Sequence, residues 1–336
     1  MKSLSVLVAF AALLFAGCDN QRVPQANAES GSDQAKAETE APAPKGSFVV
    51  GFSQIGAESA WRTAETESIR SEAQARGINL RFSDAQQKQE NQIKALRSFA
   101  AQGVKAIILA PVVETGWEPV LREVKQAKIP VILVDRGVKV SDDSLYTTLI
   151  ASDFVEEGRM AGDWLAKKMN GKANIVELQG TAGAAPAIDR KKGFEEAIAK
   201  HPGMKIIKSQ SGDFTRAKGK EVMEAFLKSA EGKSINAVYA HNDDMALGAI
   251  QAIEEAGLNP GKDIILVSID GVKAAFEAIV AGKLNCTVEC NPLLGPMVFD
   301  VLDSIRNGDQ IPKKIIVKDE IFDETNAKDA LPHRKY

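Results

Sequence analysis

The chain has 336 residues, with 42 Lys and Arg against 45 Asp and Glu, and a formal net charge of −3. A balance this close to neutral gives no electrostatic case for nucleic acid as a partner. At 44% apolar the composition is that of an ordinary globular protein, and the length allows about two domains.

The first segment, residues 1–18, is not part of a fold. Lys2 precedes the apolar run Ser5–Phe15, which ends in Ala16, Gly17 and Cys18. One positive charge, about a dozen apolar residues and a small-residue cleavage site describe a secretory signal. The run is too short for a spanning helix, which needs roughly 20 apolar residues. Cys18 after Ala-Gly resembles a bacterial lipobox, which implies lipidation of Cys18. A lipobox usually carries Leu three residues before the Cys, whereas Phe15 stands there, with Leu14 one further back. An ordinary signal peptide cut elsewhere is the competing reading. Asp19 resembles the inner-membrane retention signal of enteric-type lipoproteins. Residues 19–46 carry almost no large apolar side chain and are expected to be a disordered tether. About 28 such residues give an r.m.s. reach of roughly 30 Å.

From Ser47 on, β-branched runs alternate with amphipathic stretches. Strand patterns begin at Ser47, Asn79, Ala106, Val131, Tyr146, Asn174, Met204, Ala237, Ile264 and Asn285. Helical patterns cover Ala60–Arg76, Gln86–Gln102, Trp117–Ala127, Glu156–Met169, Ile188–His201, Thr215–Ser229, Met245–Ala256 and Val272–Ala281. Regular strand–helix alternation predicts βαβ units and parallel sheets, an α/β class. Ten strands are many for one sheet, so two doubly wound lobes are expected, the first ending near Ile150.

Six stretches place polar and aromatic residues after a strand or at a helix start: Ser53–Glu65, Val134–Arg136, Ile188–Arg190, Ser211–Phe214, His241–Asp244 and Ser268–Gly271. Ligands bind beyond the carboxyl ends of strands in such sheets. Arg and Asp grip hydroxyls in fixed geometry, and aromatic faces cover the C–H surfaces of a sugar ring. His201, His241 and His333 are scattered, and none pairs with a Ser or Cys in a catalytic motif. Neither G-x-G-x-x-G nor a Walker loop follows the first strand. A binding protein with no cofactor is therefore expected rather than an enzyme. Cys286 and Cys290 would stand about 13 Å apart on an extended strand, beyond disulfide reach, so free thiols are expected.

The run NDDMALGA (Asn242–Ala249), with the alternating lobes and the export signal, resembles periplasmic sugar-binding proteins of the ribose/galactose type. These type I periplasmic binding proteins are receptors of ATP-driven importers. GFSQ (Gly51–Gln54), Trp61-Arg62, Ala64-Glu65, QQKQENQ (Gln86–Gln92), TGWEPVL (Thr115–Leu121), ELQGT (Glu177–Thr181), IDRKKGF (Ile188–Phe194) and SQSGDFT (Ser209–Thr215) look most like its galactofuranose-binding members. The resemblance runs from Val49 to about Ile321. It implies three hinge crossings, near Ala151-Ser152, Cys290-Asn291 and Val317-Lys318. One lobe is then 47–151 plus 291–317, the other 152–290 plus 318–336. It further implies a monomeric periplasmic receptor, free or held at the inner membrane through Cys18, that closes on a monosaccharide and delivers it to ABC permease subunits. A sensor presenting its closed form to a histidine kinase or chemoreceptor would use the same cleft.

Each site residue has a plainer reading beside the functional one. Trp61 is expected to stack on sugar, with Arg62 and Glu65, three apart on one helix face, on hydroxyls; the alternative is a core Trp with a surface ion pair. Asp135 and Arg136 match the family's paired ligand residues but in isolation describe a solvated turn. Arg190 is picked out by the resemblance from a basic run with Lys191 and Lys192. Phe214 is expected as the aromatic cover of the second lobe, or as a staple for the next helix. Asn242 is a ligand candidate, while Asp243 and Asp244 are expected to cap their helix. The triplet lacks the further oxygens of a calcium loop, so no metal is expected. Asp270 matches the family aspartate, against a simple Asp-Gly turn. Two positions depart from the ribose-type pattern: Ile269 stands where those receptors have an aromatic, and Cys290 where the hinge carries an amide.

Overall fold

The computed structural model describes residues 48–336. The signal segment, the lipidation site Cys18 and the tether lie outside the described residues. Short runs such as Ala106–Leu109, Val131–Val134 and Ala237–Ala240 are buried at every position, as strands covered by helices on both faces must be. In chain order the strands are β1 (Val49–Gln54), β2 (Asn79–Asp84), β3 (Ala106–Leu109), β4 (Val131–Val134), β5 (Thr148–Ser152), β6 (Lys172–Gln179), β7 (Gly203–Ser211), β8 (Ala237–Ala240), β9 (Ile265–Asp270), β10 (Cys286–Glu289), β11 (Lys314–Val317) and β12 (Ile321–Asp323). The main helices are α1 (Ala60–Ala75), α2 (Gln89–Ala101), α3 (Glu118–Gln126), α4 (Phe154–Lys168), α5 (Ala185–Ile198), α6 (Arg216–Lys228), α7 (Asp243–Glu255), α8 (Lys273–Val280) and α9 (Gly295–Asn307).

The strands form two six-stranded sheets, ordered β2-β1-β3-β4-β5-β11 and β7-β6-β8-β9-β10-β12. The first is parallel throughout. The second is parallel except for β12, which runs antiparallel beside β10. In each sheet the strand order reverses beside the first strand, the point where doubly wound folds open a crevice for ligand. The chain passes from one sheet to the other after β5, after β10 and between β11 and β12.

All ten predicted strands and all eight predicted helices form, with ends moved by a few residues. Helix α5 starts at Ala185 rather than Ile188, because Pro186 fits its first turn. Arg190 consequently lies inside the helix and not at its start. Helix α9 and strands β11 and β12 were not among the predicted elements. Helix α9 carries Pro296 in its first turn and closes on Gly308 at φ 79, the ordinary asymmetry of a helix.

One apolar cluster covers the faces of the second sheet, and two cover those of the first. Trp61, from α1 of the first lobe, packs into the cluster of the second. Helices α4 and α5 approach so closely that a Cβ on Gly158 would lie 2.1 Å from the Arg190 carbonyl oxygen. That contact brings the Arg190 side chain beside Glu157. Segment 331–336 is packed, not frayed: the Lys273 amide donates to the Tyr336 carbonyl at 2.6 Å.

Candidate functional site: a charged cavity between two sheets

Helix α1 begins where β1 ends, with the Ser59 hydroxyl accepting from the Arg62 amide at 3.1 Å. This cap aims the first turn of α1 toward the second lobe. Trp61 and Arg62 from that turn, with Asp135 and Arg136 from the end of β4, form one wall of a cleft that spans about 270 Å³, its open mouth included. Arg190, Phe214, Asn242 and Asp270 from the second lobe form the opposite wall. Eight of the nine predicted ligand residues thus meet here. Glu65 does not line the cavity; it lies fully buried behind Arg62, pairing with its guanidinium and accepting from Gln54 Nε2 at 3.0 Å. Three lining residues had not been singled out, Glu58, Ser59 and Pro186, and Cys290, noted above as a departure from the ribose-type pattern, lines the cavity as well.

In the first lobe, Arg62 is the centre of a carboxylate cluster. It donates to Asp135 Oδ2 at 2.5 Å, to Glu58 Oε1 at 3.0 Å and to Glu65. Burial alone would depress the guanidinium, but Glu65, Asp135 and Glu58 outweigh it and hold Arg62 well above its ordinary value. Arg136 has weaker partners. Nη1 donates to the Val112 carbonyl at 3.0 Å, while Asp135 and Glu58 lie at 3.6 and 3.9 Å. Burial, then the neighbouring Arg62, push Arg136 down to about 10. Burial is also the main reason that Glu65 is raised.

In the second lobe, Arg190 donates to Glu157 at 2.7 Å, to the His241 carbonyl at 2.6 Å and to Asp270 at 3.4 Å. Burial acts to lower Arg190, and Glu157, Cys290 and Asp270 more than compensate. Burial raises Glu157 and raises Asp270 strongly, Arg190 opposing both. Beneath this group His241 Nδ1 accepts from the Gly180 amide at 3.3 Å, so its Nε2 carries the proton and donates to Glu177 at 3.0 Å. Burial lowers the His241 pKa and keeps the ring neutral. The buried pair thereby fixes the turn that presents Asn242.

Asn242 caps α7, its Oδ1 accepting from the Met245 amide at 3.0 Å, and its Nδ2 donates to the Phe214 carbonyl at 3.1 Å. The expectation that Asp243 and Asp244 cap this helix is corrected. Asp243 turns inward and accepts from Ser268, from Thr287 at 2.8 Å and from the Val272 amide at 2.8 Å. Asp244 reaches across the cleft to the Ala60 amide at 2.8 Å and is itself gripped by Arg216 at 2.9 Å.

Three lining residues adopt backbone angles that side chains disfavour: Asp135 at φ 60, Phe214 at φ 61 and Asp270 at φ 130. Such conformations cost on the order of 1–3 kcal/mol each and concentrate at functional sites. Phe214 has room for its ring only because residue 180 is Gly, where a Cβ would lie 1.9 Å from the ring. The Arg136 guanidinium lies 5.1 Å from the Phe214 ring centre, and Trp61 Nε1 donates to the Cys290 carbonyl at 2.5 Å. With Asp244–Ala60 and the Glu114 amide on the Gly183 carbonyl at 2.9 Å, these contacts hold the two lobes closed.

The wall offers a donor and an acceptor that the protein leaves over: Arg136 Nε and Glu58 Oε2 are buried without a hydrogen-bond partner. Buried polar groups are ordinarily satisfied, so both suit a ligand rich in hydroxyls. Trp61 and Phe214 supply aromatic faces from opposite lobes. Cys286 and Cys290 are free and buried; burial, with Glu157 second, pushes the Cys290 thiol well up. Among the described residues no group of three or more His, Cys, Asp or Glu is placed to hold a metal ion.

Residues 50–309 match the periplasmic binding protein domain family. The galactofuranose-binding protein YtfQ of Escherichia coli K12 is 57% identical over 291 residues, covering 86% of this chain and 92% of that protein. Two solved structures superpose along most of the fold. One is the binding protein of the arabinose ABC transporter from Shewanella sp. ANA-3, bound to α- and β-L-arabinofuranose. It is 58% identical, with a TM-score of 0.83 over 85% of this chain and 95% of that one. The other, from Mycobacterium smegmatis in complex with β-D-fucofuranose, is 53% identical, with a TM-score of 0.84 over 86% of this chain and 96% of that one.

Proposed function

Because the chain belongs to the periplasmic binding protein family, we propose that it is the receptor of an ABC sugar importer and that it closes around a monosaccharide in its furanose form, galactofuranose foremost. The observation that carries this reading is the cavity itself, lined by charged and aromatic residues from both lobes. A five-membered ring with an exocyclic chain offers hydroxyls in several directions, which suits acceptors and donors converging from two walls. The furanose ligands of the Shewanella and Mycobacterium relatives support the ring form.

In this reading Trp61 and Phe214 cover the ring, and Asp135, Arg136, Arg190, Asn242 and Asp270 meet its hydroxyls. Arg62 both lines the cavity and orders the carboxylates around it, with Glu65 as its buried counter-charge. Residues 47–151 with 291–317 make one lobe, and 152–290 with 318–336 the other, hinged where the chain crosses. Sugar that contacts both lobes shifts the population from open to closed, and water leaving the cavity strengthens each charged hydrogen bond. The closed monomer docks on the permease and breaks no bond in the sugar. Cys18 carries a lipid that keeps the receptor at the inner membrane, and residues 19–46 give it reach.

The test is calorimetry with D-galactose and L-arabinose, each as its equilibrium mixture of ring forms, and with methyl α-D-galactopyranoside, which is locked in a six-membered ring. NMR of bound ¹³C-labelled sugar reads the ring form directly. Binding of the free sugars with a furanose anomeric signal is expected. Equal affinity for the locked pyranoside, or a pyranose signal, refutes the assignment.

A further inference from the structure

The segment after Ala330 brings one guanidinium under the floor of the cavity. Arg334 Nη1 donates to Glu289 at 2.7 Å, and Nη2 to the Gly271 carbonyl at 2.7 Å and to the Tyr336 hydroxyl. The Tyr336 hydroxyl in turn donates to Glu289 at 3.1 Å. The rings of Phe276, Phe322 and Tyr336 surround the guanidinium, with centres 4.6, 5.5 and 4.5 Å away. The side chains of Arg334 and Glu289 are only 10% and 13% exposed.

Both anchors are chain neighbours of cavity residues. Gly271 follows Asp270, and Glu289 precedes Cys290. The Asp270–Gly271 turn sits at φ 130 and then φ 77, a shape it does not hold unaided. The Cys290 amide secures the Asp270 carbonyl at 3.1 Å, and Thr287 secures the Gly271 amide at 3.2 Å. The Gly271 carbonyl is secured by Arg334. Arg334 therefore ties the turn bearing Asp270 to the strand end bearing Cys290, without lining the cavity itself.

We propose that Arg334 is a positioning residue for the ligand, setting the place of Asp270 in the cavity. The proposal rests on the reading of the cavity as a sugar site. Arg334→Met keeps the apolar stem among the three rings and removes every donor; Arg334→Lys keeps the charge but only one donor nitrogen. The experiment measures L-arabinose and D-galactose affinity by calorimetry and melting temperature without sugar, in the wild type and on an Asp270→Asn background.

Arg334→Met is expected to bind about tenfold more weakly, as neighbours in one network do when one is removed, and Arg334→Lys to recover part of that loss. On the Asp270→Asn background the further loss should nearly vanish, because the residue being positioned is already disabled. Losses that add across the two sites overturn the proposal, as does a fall in melting temperature with affinity unchanged. If Arg334→Met does not fold, Arg334→Lys in the same cycle decides the matter. Failure of the wild type to bind either L-arabinose or D-galactose overturns the site reading and this inference with it. Binding by the wild type that Asp270→Asn weakens and neither Arg334 variant alters overturns the inference alone.

Discussion

The Asp244 carboxylate allows closure to be separated from recognition. It lies outside the cavity lining, yet accepts from the Ala60 amide across the cleft at 2.8 Å, at the first turn of α1. A hydrogen bond to a charged group contributes about 1.5–3 kcal/mol, and a charge at a helix N-terminus about 0.3–1 kcal/mol. Part of this is recovered in the open form, where the amide returns to water and Asp244 keeps Arg216, itself about half exposed at 51%. A net closure term of about 1.4 kcal/mol remains, which is tenfold in affinity. Since apparent affinity scales with the closed fraction, Asp244→Ala should weaken every sugar by the same factor. Asp244→Asn keeps an acceptor oxygen and should lose less. Calorimetry with L-arabinose and D-galactose measures the two affinities, and stopped-flow fluorescence of Trp61 should place the change mainly in the dissociation rate. A change in the ratio between the two sugars would place Asp244 in the recognition site and refute the reasoning. Unchanged affinity for both would refute it equally.

Asp135→Asn keeps a side chain that tolerates the φ 60 backbone but removes the charge facing Arg62. Breaking a buried charged network costs about 3–5 kcal/mol, so binding should fall at least a hundredfold in calorimetry while circular dichroism stays native; retained affinity removes Asp135 from the site. Gly180→Ala sets a Cβ where the Phe214 ring lies and should weaken binding about tenfold, overpacking costing about 1–3 kcal/mol. Combined with Phe214→Ala it should add nothing, and additive losses would show that the ring is not the route. Asp319 links two of the crossings, accepting from Ser152 at 3.1 Å. Burial, then Glu157, raise it to about 8, from an unfolded value near ~3.9. The folded state therefore holds a proton that the unfolded state has released. The stabilisation is complete below the unfolded value and is lost as pH rises through about 8. In urea melts Asp319→Asn should gain on the wild type from pH 5 to pH 9, and a pH-independent difference excludes this.

The fold was legible wherever burial imposed a period. The fully apolar strands β3, β4 and β8 and the amphipathic α3 could be read directly, because helices on both faces demand that pattern. The elements missed lie at the edge. β11 is four residues at the rim of its sheet with only Val317 buried, and β12 is three residues long. Helix α9 did carry a signal: Val298, Phe299, Val301 and Leu302 are buried along one face. Its opening Gly295-Pro296 resembles a loop unless Pro is granted a place in the first turn. In the site, the topology pointed to one crevice beyond the strand ends, and the family resemblance then picked out Asp135, Arg136, Arg190 and Asp270 from the stretches that reach it. Glu58 escaped because it precedes its helix in a loop and gains meaning only when Arg62 folds back onto it at 3.0 Å. Asp244 was misread because a cap is a local inference, whereas its partner Ala60 is 184 positions away in sequence.

The carboxylates around the three cavity arginines have a consequence for what can enter. The first lobe sets Glu58, Glu65 and Asp135 against Arg62 and Arg136, and the second sets Glu157 and Asp270 against Arg190. Each half carries one acid more than it has bases, and the raised pKa values of Glu65, Glu157 and Asp270 reflect that surplus as well as burial. Each guanidinium facing the gap between the halves has a carboxylate beside it. A sugar phosphate or uronic acid would bring a further negative charge into that gap. Guanidinium groups already paired with carboxylates suit a neutral polyol and offer an anionic sugar no unpaired cation, a filter that works by charge rather than by shape.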